Sequence, residues 1–560
     1  MNRRSVFGVI LLSLLLIVLT LALAQLFSPT PTVRGKSPAA PLKSGMTEEQ
    51  NLAQNLALSD ARVQTYTFGR PSEVFGIANV GLHYPPGAEA CADSDCRQVN
   101  IYNWDENAAV TAIVDLNNEE VLEVFHQPGA HPGINKRLVD LAIDLAINDP
   151  QVIEILGFQP RAEDIDMAPV DGDAPGSACD GATLCVAPTF DLGDRILWVL
   201  IDLHREEVAA LRWTTVNPED SESLVKFPPE SGCPTPRTID RDGWVLDYDV
   251  TGTDGLRAYD VSYLNEAVAT SIKLVEWHAD YGSSGFRDST GCGGGGGGFP
   301  IYPFGETQVL DLVDDDLNVV GFEVVQDFRM SSWGQSCNYR YEQHIQFFLD
   351  GRFRVVSGAY GKGCGLNALY RPVVRIDIAV DGDPEDSFAL WTGRDGWVQQ
   401  PVELWRTPYA GPDGPHAMSV EGYAWKVTDA SGSGYYIEPG RGQFDDTERG
   451  DDPFIYVTRH YSSEGDSDLA VIGACCNDDH QQGPDQYVNG ESIENTNIVL
   501  WYVPQMDTDP EDGGDGYYCW TLLTGGVPGP TYPCFSGPMF VPLTFNEETY
   551  IPYTSKPPDP

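Results

Sequence analysis

Residues 337–360 read CNYRYEQHIQFFLDGRFRVVSGAY. Apolar and polar side chains alternate on both sides of Asp350-Gly351, a dipeptide that favours the tight turn of a hairpin. The reading is a strand over 338–348, a turn, and a strand over 353–360. With the turn centred there, paired positions sum to about 701, which sets Cys337 against Cys364 across the ladder, near enough for a disulfide. The same signals recur throughout 227–560. Asp242-Gly243, Asp254-Gly255 and Asp381-Gly382 punctuate alternating runs, and helical periodicity is lost. A stretch of this kind predicts a large β-sandwich. The glycine run 293–298 reads as a loop rather than a phosphate cradle, because no Lys-Ser/Thr follows it and no helix begins there.

The N-terminal half carries an internal repeat. TEEQNLAQNLALSDARV (47–63) places Leu52, Leu56 and Ala57 at helical spacing, and Thr47 with Gln50 forms a capping box. LVDLAIDLAINDPQV (138–152) places Leu138, Leu141, Ala142 and Leu145 on one face. Downstream of each helix comes a hairpin: Val114-Asp115-Leu116 with Glu119-Glu120-Val121, then Ile201-Asp202-Leu203 with Glu206-Glu207-Val208. A close cysteine pair sits between helix and hairpin in each copy, Cys91 with Cys96 and Cys179 with Cys185, and each is expected to form a local bridge. The acidic turn residues read as solvated ends. The expected fold class is α+β: two small domains of a helix on an antiparallel sheet (46–130 and 131–226), then a β-sandwich domain (227–560).

The first 24 residues stand apart. Asn2-Arg3-Arg4 is a basic start, an apolar stretch covers 6–24, and Ala22-Leu23-Ala24 fits a cleavage site; an uncleaved anchor is the other reading. Residues 25–45 are a Pro/Ser/Thr-rich linker. Export agrees with 12 cysteines, an even number without a C-x-x-C pair; His480 near Cys475-Cys476 is a weak metal signal. The chain is 42% hydrophobic with 12 Trp, enough for a packed core and against global disorder. Its 83 acidic and 34 basic residues give a formal charge of −49. Such a surface repels phosphate backbones, which excludes nucleic acid, and attracts amines, polyamines and Ca²⁺. Membrane contact is expected only through the N-terminal segment. Asp507-x-Asp509-x-Glu511 with Asp515 is an oxygen-rich loop without the glycine of a calcium loop, and reads either as a Ca²⁺ site or as a solvated acidic turn.

The ordered motifs of the C-terminal part resemble the copper-containing amine oxidases. Residues 254–263 (DGLRAYDVSY) look like the opening of that family's catalytic domain, and 276–282 (EWHADYG) is similar to its segment ending in Pro-Tyr-Gly-Asp. Cys337-Asn338-Tyr339-Arg340-Tyr341 resembles Asn-Tyr-Asp/Glu-Tyr, whose first Tyr becomes topaquinone. Arg375-Ile376-Asp377 with Asp381-Gly382, and 491–502 ending in Asn497-Ile498-Val499-Leu500-Trp501-Tyr502, resemble two later motifs. The two repeats look like the family's paired small domains.

The resemblance implies oxidative deamination of a primary amine or polyamine by O₂, in a homodimer. Tyr339, beside Asn338, would be the quinone precursor; Asp288 would abstract the substrate α-proton, and Tyr281 would hydrogen-bond the quinone. Burial is what would raise Asp288 into the range of a neutral-pH base. Copper would be held by three histidines, but the equivalent positions carry Ala368, Tyr370 and, near the third, Thr508. Imidazole suits Cu²⁺ and these side chains do not. His278 and His344 lie in matching segments, yet His344 is five residues past Tyr339 and so faces the other side of a strand. A calcium site would use Asp377, the carbonyl of Ile378 and Asn497. Two function classes follow: an amine oxidase working through Tyr339, or a catalytically inactive relative acting as an extracellular binding or structural module. The missing copper ligands favour the second on mechanism.

Overall fold

In the computed structural model, the described residues are 39–43, 46–80, 87–168, 170–180, 184–193, 195–215, 233–282, 284–292, 301–314, 317–330, 332–361, 363–365, 368–382, 385–406, 417–440, 451–460, 482–508, 519–524 and 527–544. The apolar N-terminal stretch, most of the linker, the glycine run 293–298, Cys475, Cys476, His480 and most of the 507–515 loop lie outside them. Among the described residues, no helix is long and apolar enough to cross a membrane.

The first repeat starts with the helix Glu48–Ser59. Thr47 Oγ1 accepts the Gln50 N–H at 3.2 Å, and the Thr47 N–H returns to Gln50 Oε1 at 3.0 Å. Two otherwise orphaned N–H groups are satisfied, so Thr47→Ala should cost about 1 kcal/mol, read as a lower urea midpoint. The helix buries Ala53 and Ala57 on a four-stranded antiparallel sheet in chain order: Ser72–Asn79, Cys96–Asn103, Ala108–Asp115 and Glu120–Pro128. Strand Ala108–Asp115 is buried on both faces. On the face away from the helix, Ile113 and Phe125 pack with the bonded Cys91–Cys96 pair.

The second repeat mirrors these parts. Helices Lys136–Asn148 and Pro150–Leu156 are capped by Asn135 and Asp149, and cover the hairpin Arg195–Asp202/Glu207–Thr215. Cys179 is bonded to Cys185. The acidic repeat has a local cause. Asp115 Oδ1 accepts the N–H of Asn117 and Asn118, and Asp202 Oδ1 accepts those of His204 and Arg205, so each Asp closes its own hairpin turn. Glu119 and Glu206 both sit at positive φ (54° and 56°) in these turns.

The second copy is not a separate sheet. Strand Asp171–Asp173 pairs with Gly285–Asp288, and Cys185–Val186 carries the hydrogen bonding on to Arg195–Asp202. A 15-stranded sheet therefore runs from Leu404–Arg406 through Phe454–Arg459, Ile498–Val503, Leu369–Ile378 and Glu266–Asp280 into the second repeat. An 11-stranded sheet contains Val319–Arg329, Arg340–Phe348, Phe353–Ala359 and Met539–Pro542. The two share one core. Ile272, Leu274 and Trp277 from the first meet Phe322, Ile345, Phe347 and Val355 from the second.

The hairpin around Asp350-Gly351 forms with a shifted register. Phe347 pairs with Phe353 and Tyr341 with Ala359, one position from the expected alignment, and the ladder ends at Arg340 and Ala359. Cys337 and Cys364 lie beyond its end and are bonded, with Cα atoms 4.3 Å apart. At the turn, Gly351 has φ +85°, and a Cβ there would come within 2.7 Å of the Tyr263 ring, so glycine is required on both counts. Two pairings that the sequence leaves open are Cys233–Cys292 and Cys519–Cys534.

Candidate functional site

Strand alternation brings the candidate residues together. In Glu266–Asp280, Trp277 and Ala279 point into the core; Trp277 pairs with Asp288 on one side, and Ala279 pairs with Phe286 on that side and with Tyr370 on the other. From the opposite sheet, Tyr341 is the second residue of the strand Arg340–Phe348 and Tyr339 sits just before it. The Tyr341 ring lies flat on Trp277, with centroids 4.0 Å apart and planes at 6°. Tyr370 stands edge-on to both Tyr339 and Tyr341. Tyr339, Tyr341, Tyr370 and Trp277 are fully buried, and Asp288 is 1% exposed.

The polar atoms form two groups. The Tyr281 and Tyr339 hydroxyls share a hydrogen bond of 2.6 Å, and the Cys364 N–H donates to both, at 2.9 and 2.8 Å. The Cys337–Cys364 bridge thus fixes the amide that holds both phenols. Separately, Tyr341 Oη donates to Asp288 Oδ2 at 3.0 Å. Asp288 Oδ1 and Trp277 Nε1 have no partner among the described residues. Burial pushes the Asp288 carboxyl up to about 8, against the Tyr341 hydrogen bond and with help from the Asp171 charge. Burial also raises the Tyr339, Tyr341 and Tyr370 phenols well above their ordinary value. Asn338 donates to the Ser336 carbonyl at 2.9 Å and shapes the turn rather than touching a phenol.

The three positions expected to carry copper ligands converge. Strand Leu369–Ile378 pairs with Met506–Asp507, Tyr370 against Met506. Just beyond, the Ala368 N–H donates to Thr508 Oγ1 at 2.6 Å, and Thr508 Oγ1 donates to the Ala368 carbonyl at 3.0 Å. A methyl group, a hydroxyl spent on backbone and a phenol held neutral are not a Cu²⁺ donor set. Copper does not fit these residues. His278 and His344 do not fill the gap. His278 bonds Glu276 at 2.5 Å and Gln482 at 3.1 Å, and His344 is held between Glu323 and Glu342 at 3.0 and 3.2 Å. Among the described residues, no group of three His, Cys, Asp or Glu side chains is placed to hold a metal.

Of the calcium candidates, Asp377 and Ile378 end the strand Leu369–Ile378 and Asn497 stands just before Ile498–Val503, with Ile378 opposite Ile498. Asp377 Oδ2, however, already accepts from Arg375 at 3.2 Å and His460 at 2.8 Å. One carboxylate that already holds a guanidinium is a poor start for a six- to eight-oxygen Ca²⁺ shell. Sequence reasoning placed Asp288, Tyr281 and Tyr339 in one site but missed Trp277, Tyr341 and the Cys364 amide. Alternation along 276–282 could have flagged Trp277; the amide carries no sequence signal.

No family model matches this chain, and no curated protein does. The chain is similar in overall course to solved amine oxidases. A copper-containing benzylamine oxidase from Hansenula polymorpha aligns at 14% identity and TM-score 0.48, over 89% of this chain and 96% of that one. Pichia pastoris lysyl oxidase aligns at 12% and 0.47, over 91% of both chains. An Aspergillus nidulans amine oxidase aligns at 13% and 0.43, over 91% of this chain and 90% of that one. At these values the likeness is one of chain course alone, and the reading of the site rests on its own residues.

Proposed function

We propose that this chain is an exported binding or structural protein with an amine-oxidase-like frame, in which the amine-oxidising centre has been closed over as core. The observation that carries the reading is the reciprocal hydrogen bonding of Ala368 and Thr508 where imidazoles would be needed. The surroundings support it. Tyr339 is fully buried, its hydroxyl is engaged by Tyr281 and the Cys364 N–H, and Asp288 is engaged by Tyr341. On this reading the work is done by the acidic surface, whose charge of −49 suits cationic partners such as polyamines or basic protein segments. Residues 1–24 export or anchor the chain, and assembly with a second copy is part of the same proposal.

The oxidase reading keeps one observation in its favour, the carboxyl of Asp288 lifted to about 8, within the range of a general base. One experiment separates the two. The protein is expressed with Cu²⁺ and O₂, its copper is measured, and it is treated with phenylhydrazine. The proposal expects less than stoichiometric copper, no coloured adduct, and no H₂O₂ from benzylamine or methylamine. An adduct mapping to Tyr339 would restore the oxidase reading.

A further inference from the structure

One buried ion pair, Lys273 with Asp254, takes no part in the tyrosine site. Lys273 Nζ is 2.6 Å from Asp254 Oδ2, and the two side chains are 1% and 0% exposed. Taking both charges out of water costs several kcal/mol per ion, which the attraction between them only partly repays. The backbone holds both ends in place. The Asp254 N–H donates to Thr251 Oγ1 at 2.8 Å, and the next N–H, from Gly255, donates to the Thr290 carbonyl at 2.7 Å. Lys273 is in mid-ladder, with Arg257 as its cross-strand partner on one side and Arg375 on the other. Each guanidinium holds a carboxylate of its own, Asp249 at 2.7 Å and Asp377 at 3.2 Å. The ammonium of Lys273 therefore stands in a row of three cations. The second oxygen of its partner, Asp254 Oδ1, accepts the Thr253 hydroxyl at 2.8 Å.

We propose that Lys273 and Asp254 condense into an intramolecular isopeptide bond. A proton passes from Nζ to Oδ2, which leaves a neutral amine beside a carboxylic acid. The nitrogen lone pair attacks Cγ. As Oδ1 takes up negative charge, the Thr253 hydroxyl already points at it, a donor placed where charge develops. The Cγ–Oδ2 bond then breaks, and Oδ2 leaves as water with a second proton from Nζ. One ammonium and one carboxylate become one amide and one water, so the step balances without oxidant, cofactor or co-reactant. One feature favours it above all: the reacting groups are held together, which replaces a bimolecular encounter. The condensation also removes a buried ammonium and a buried carboxylate together, so neither is left uncompensated. The product would join residues 19 apart in sequence and tie the strand Leu256–Tyr263 to Glu266–Asp280 by a covalent bond as well as a ladder.

The test is mass spectrometry of the folded, then reduced and alkylated, protein. The expected mass lies one water below that required by the processed sequence, and a protease digest yields a branched peptide joining the segments around Asp254 and Lys273. Lys273→Arg keeps a cation in place without a nucleophilic amine and should show the full mass. Full mass and two linear peptides in the wild type would overturn the proposal. So would a water loss that persists in Lys273→Arg or disappears with hydroxylamine, because Asp254-Gly255 can also lose water as a succinimide. The wild-type digest decides even where the variant does not fold, and its outcome is independent of any amine chemistry.

Discussion

The unfolding free energy of this protein should fall as pH rises from about 4.5 to 9, so that it is most stable on the acid side of neutrality. Three buried groups set this direction. Burial lifts Asp288 to about 8 and Asp451 to about 7; for Asp451, hydrogen bonds from Tyr502 and Ser536 and the charge of Arg354 oppose the rise. An acid whose pKa is raised by folding binds its proton more tightly folded than unfolded. Its contribution is therefore lost as pH rises from about 3.9 through the folded value. His344 acts in the same direction. Burial pushes it down, but Glu323 and Glu342, one on each ring nitrogen, outweigh that and lift it to about 9. Its contribution is whole below about 6.5 and is lost as pH climbs through the folded value. The acid limb is set by Glu342, held near 2 chiefly by His344 against burial; its contribution fades as pH drops below about 4.5.

At about 1.4 kcal/mol per pKa unit, the loss is on the order of 5 kcal/mol for Asp288 and 4 kcal/mol for Asp451 between pH 4 and 8. Self-repulsion in a chain of charge −49 adds to the fall. Urea titrations at several pH values measure it. Asp288→Asn keeps an acceptor for Tyr341, and Asp451→Asn keeps one for Tyr502, so each variant should flatten part of the slope. A wild type most stable near pH 8, or variants that leave the slope unchanged, would contradict this account. Asp451 is the more telling of the two. It accepts from Tyr502 in the 15-stranded sheet at 2.5 Å and from Ser536, on a strand of the 11-stranded sheet, at 2.7 Å. Its ionisation is therefore felt across the joint between the two sheets.

Much of this architecture was legible in the residues because it is local. Thr47 with Gln50 writes a cap, and the paired Asp115 and Asp202 turns each write a hairpin, within a few positions, although both Asp side chains are buried rather than solvated as their sequence suggests. The cysteine pairs at 91/96 and 179/185 are close for the same reason. The hairpin at Asp350-Gly351 was readable, but its register slipped by one, since a turn dipeptide alone does not say which residues close the ladder. The merging of the second repeat into the large sheet was not legible. It depends on the three-residue strand Asp171–Asp173 meeting Gly285–Asp288 more than a hundred residues later, with no periodicity to announce it. At the site, Ala368, Tyr370 and Thr508 could be placed by counting. Asp451 could not be flagged, because its burial is the work of Tyr502, Ser536 and Gly440, all remote from it or unremarkable in sequence.

Arg375→Met should destabilise the protein by about 3–5 kcal/mol, and replacing Asp377 by Leu in the same chain should recover most of that loss. Both side chains are 0% exposed. Arg375 donates to Asp377 at 3.2 Å and to Ser271 Oγ at 3.2 Å, and lies over the Trp501 ring. Removing the guanidinium leaves a carboxylate in the interior with the His460 ring nitrogen 2.8 Å from Oδ2 and with Oδ1 unpartnered among the described residues. Removing both charges avoids that penalty, so the two losses should be strongly non-additive in a double-mutant cycle. The same pair decides the calcium question. With Arg375 in place, the position beside Asp377 is taken by a cation of the chain itself, so millimolar Ca²⁺ should leave the wild-type midpoint where it is. In Arg375→Met, Asp377 faces Ca²⁺ without that competitor, and any gain with Ca²⁺ should appear in the variant first. A Ca²⁺-dependent rise in the wild-type midpoint that vanishes in Asp377→Leu would show that Asp377 serves a bound metal, and that Arg375 is its neighbour rather than its replacement.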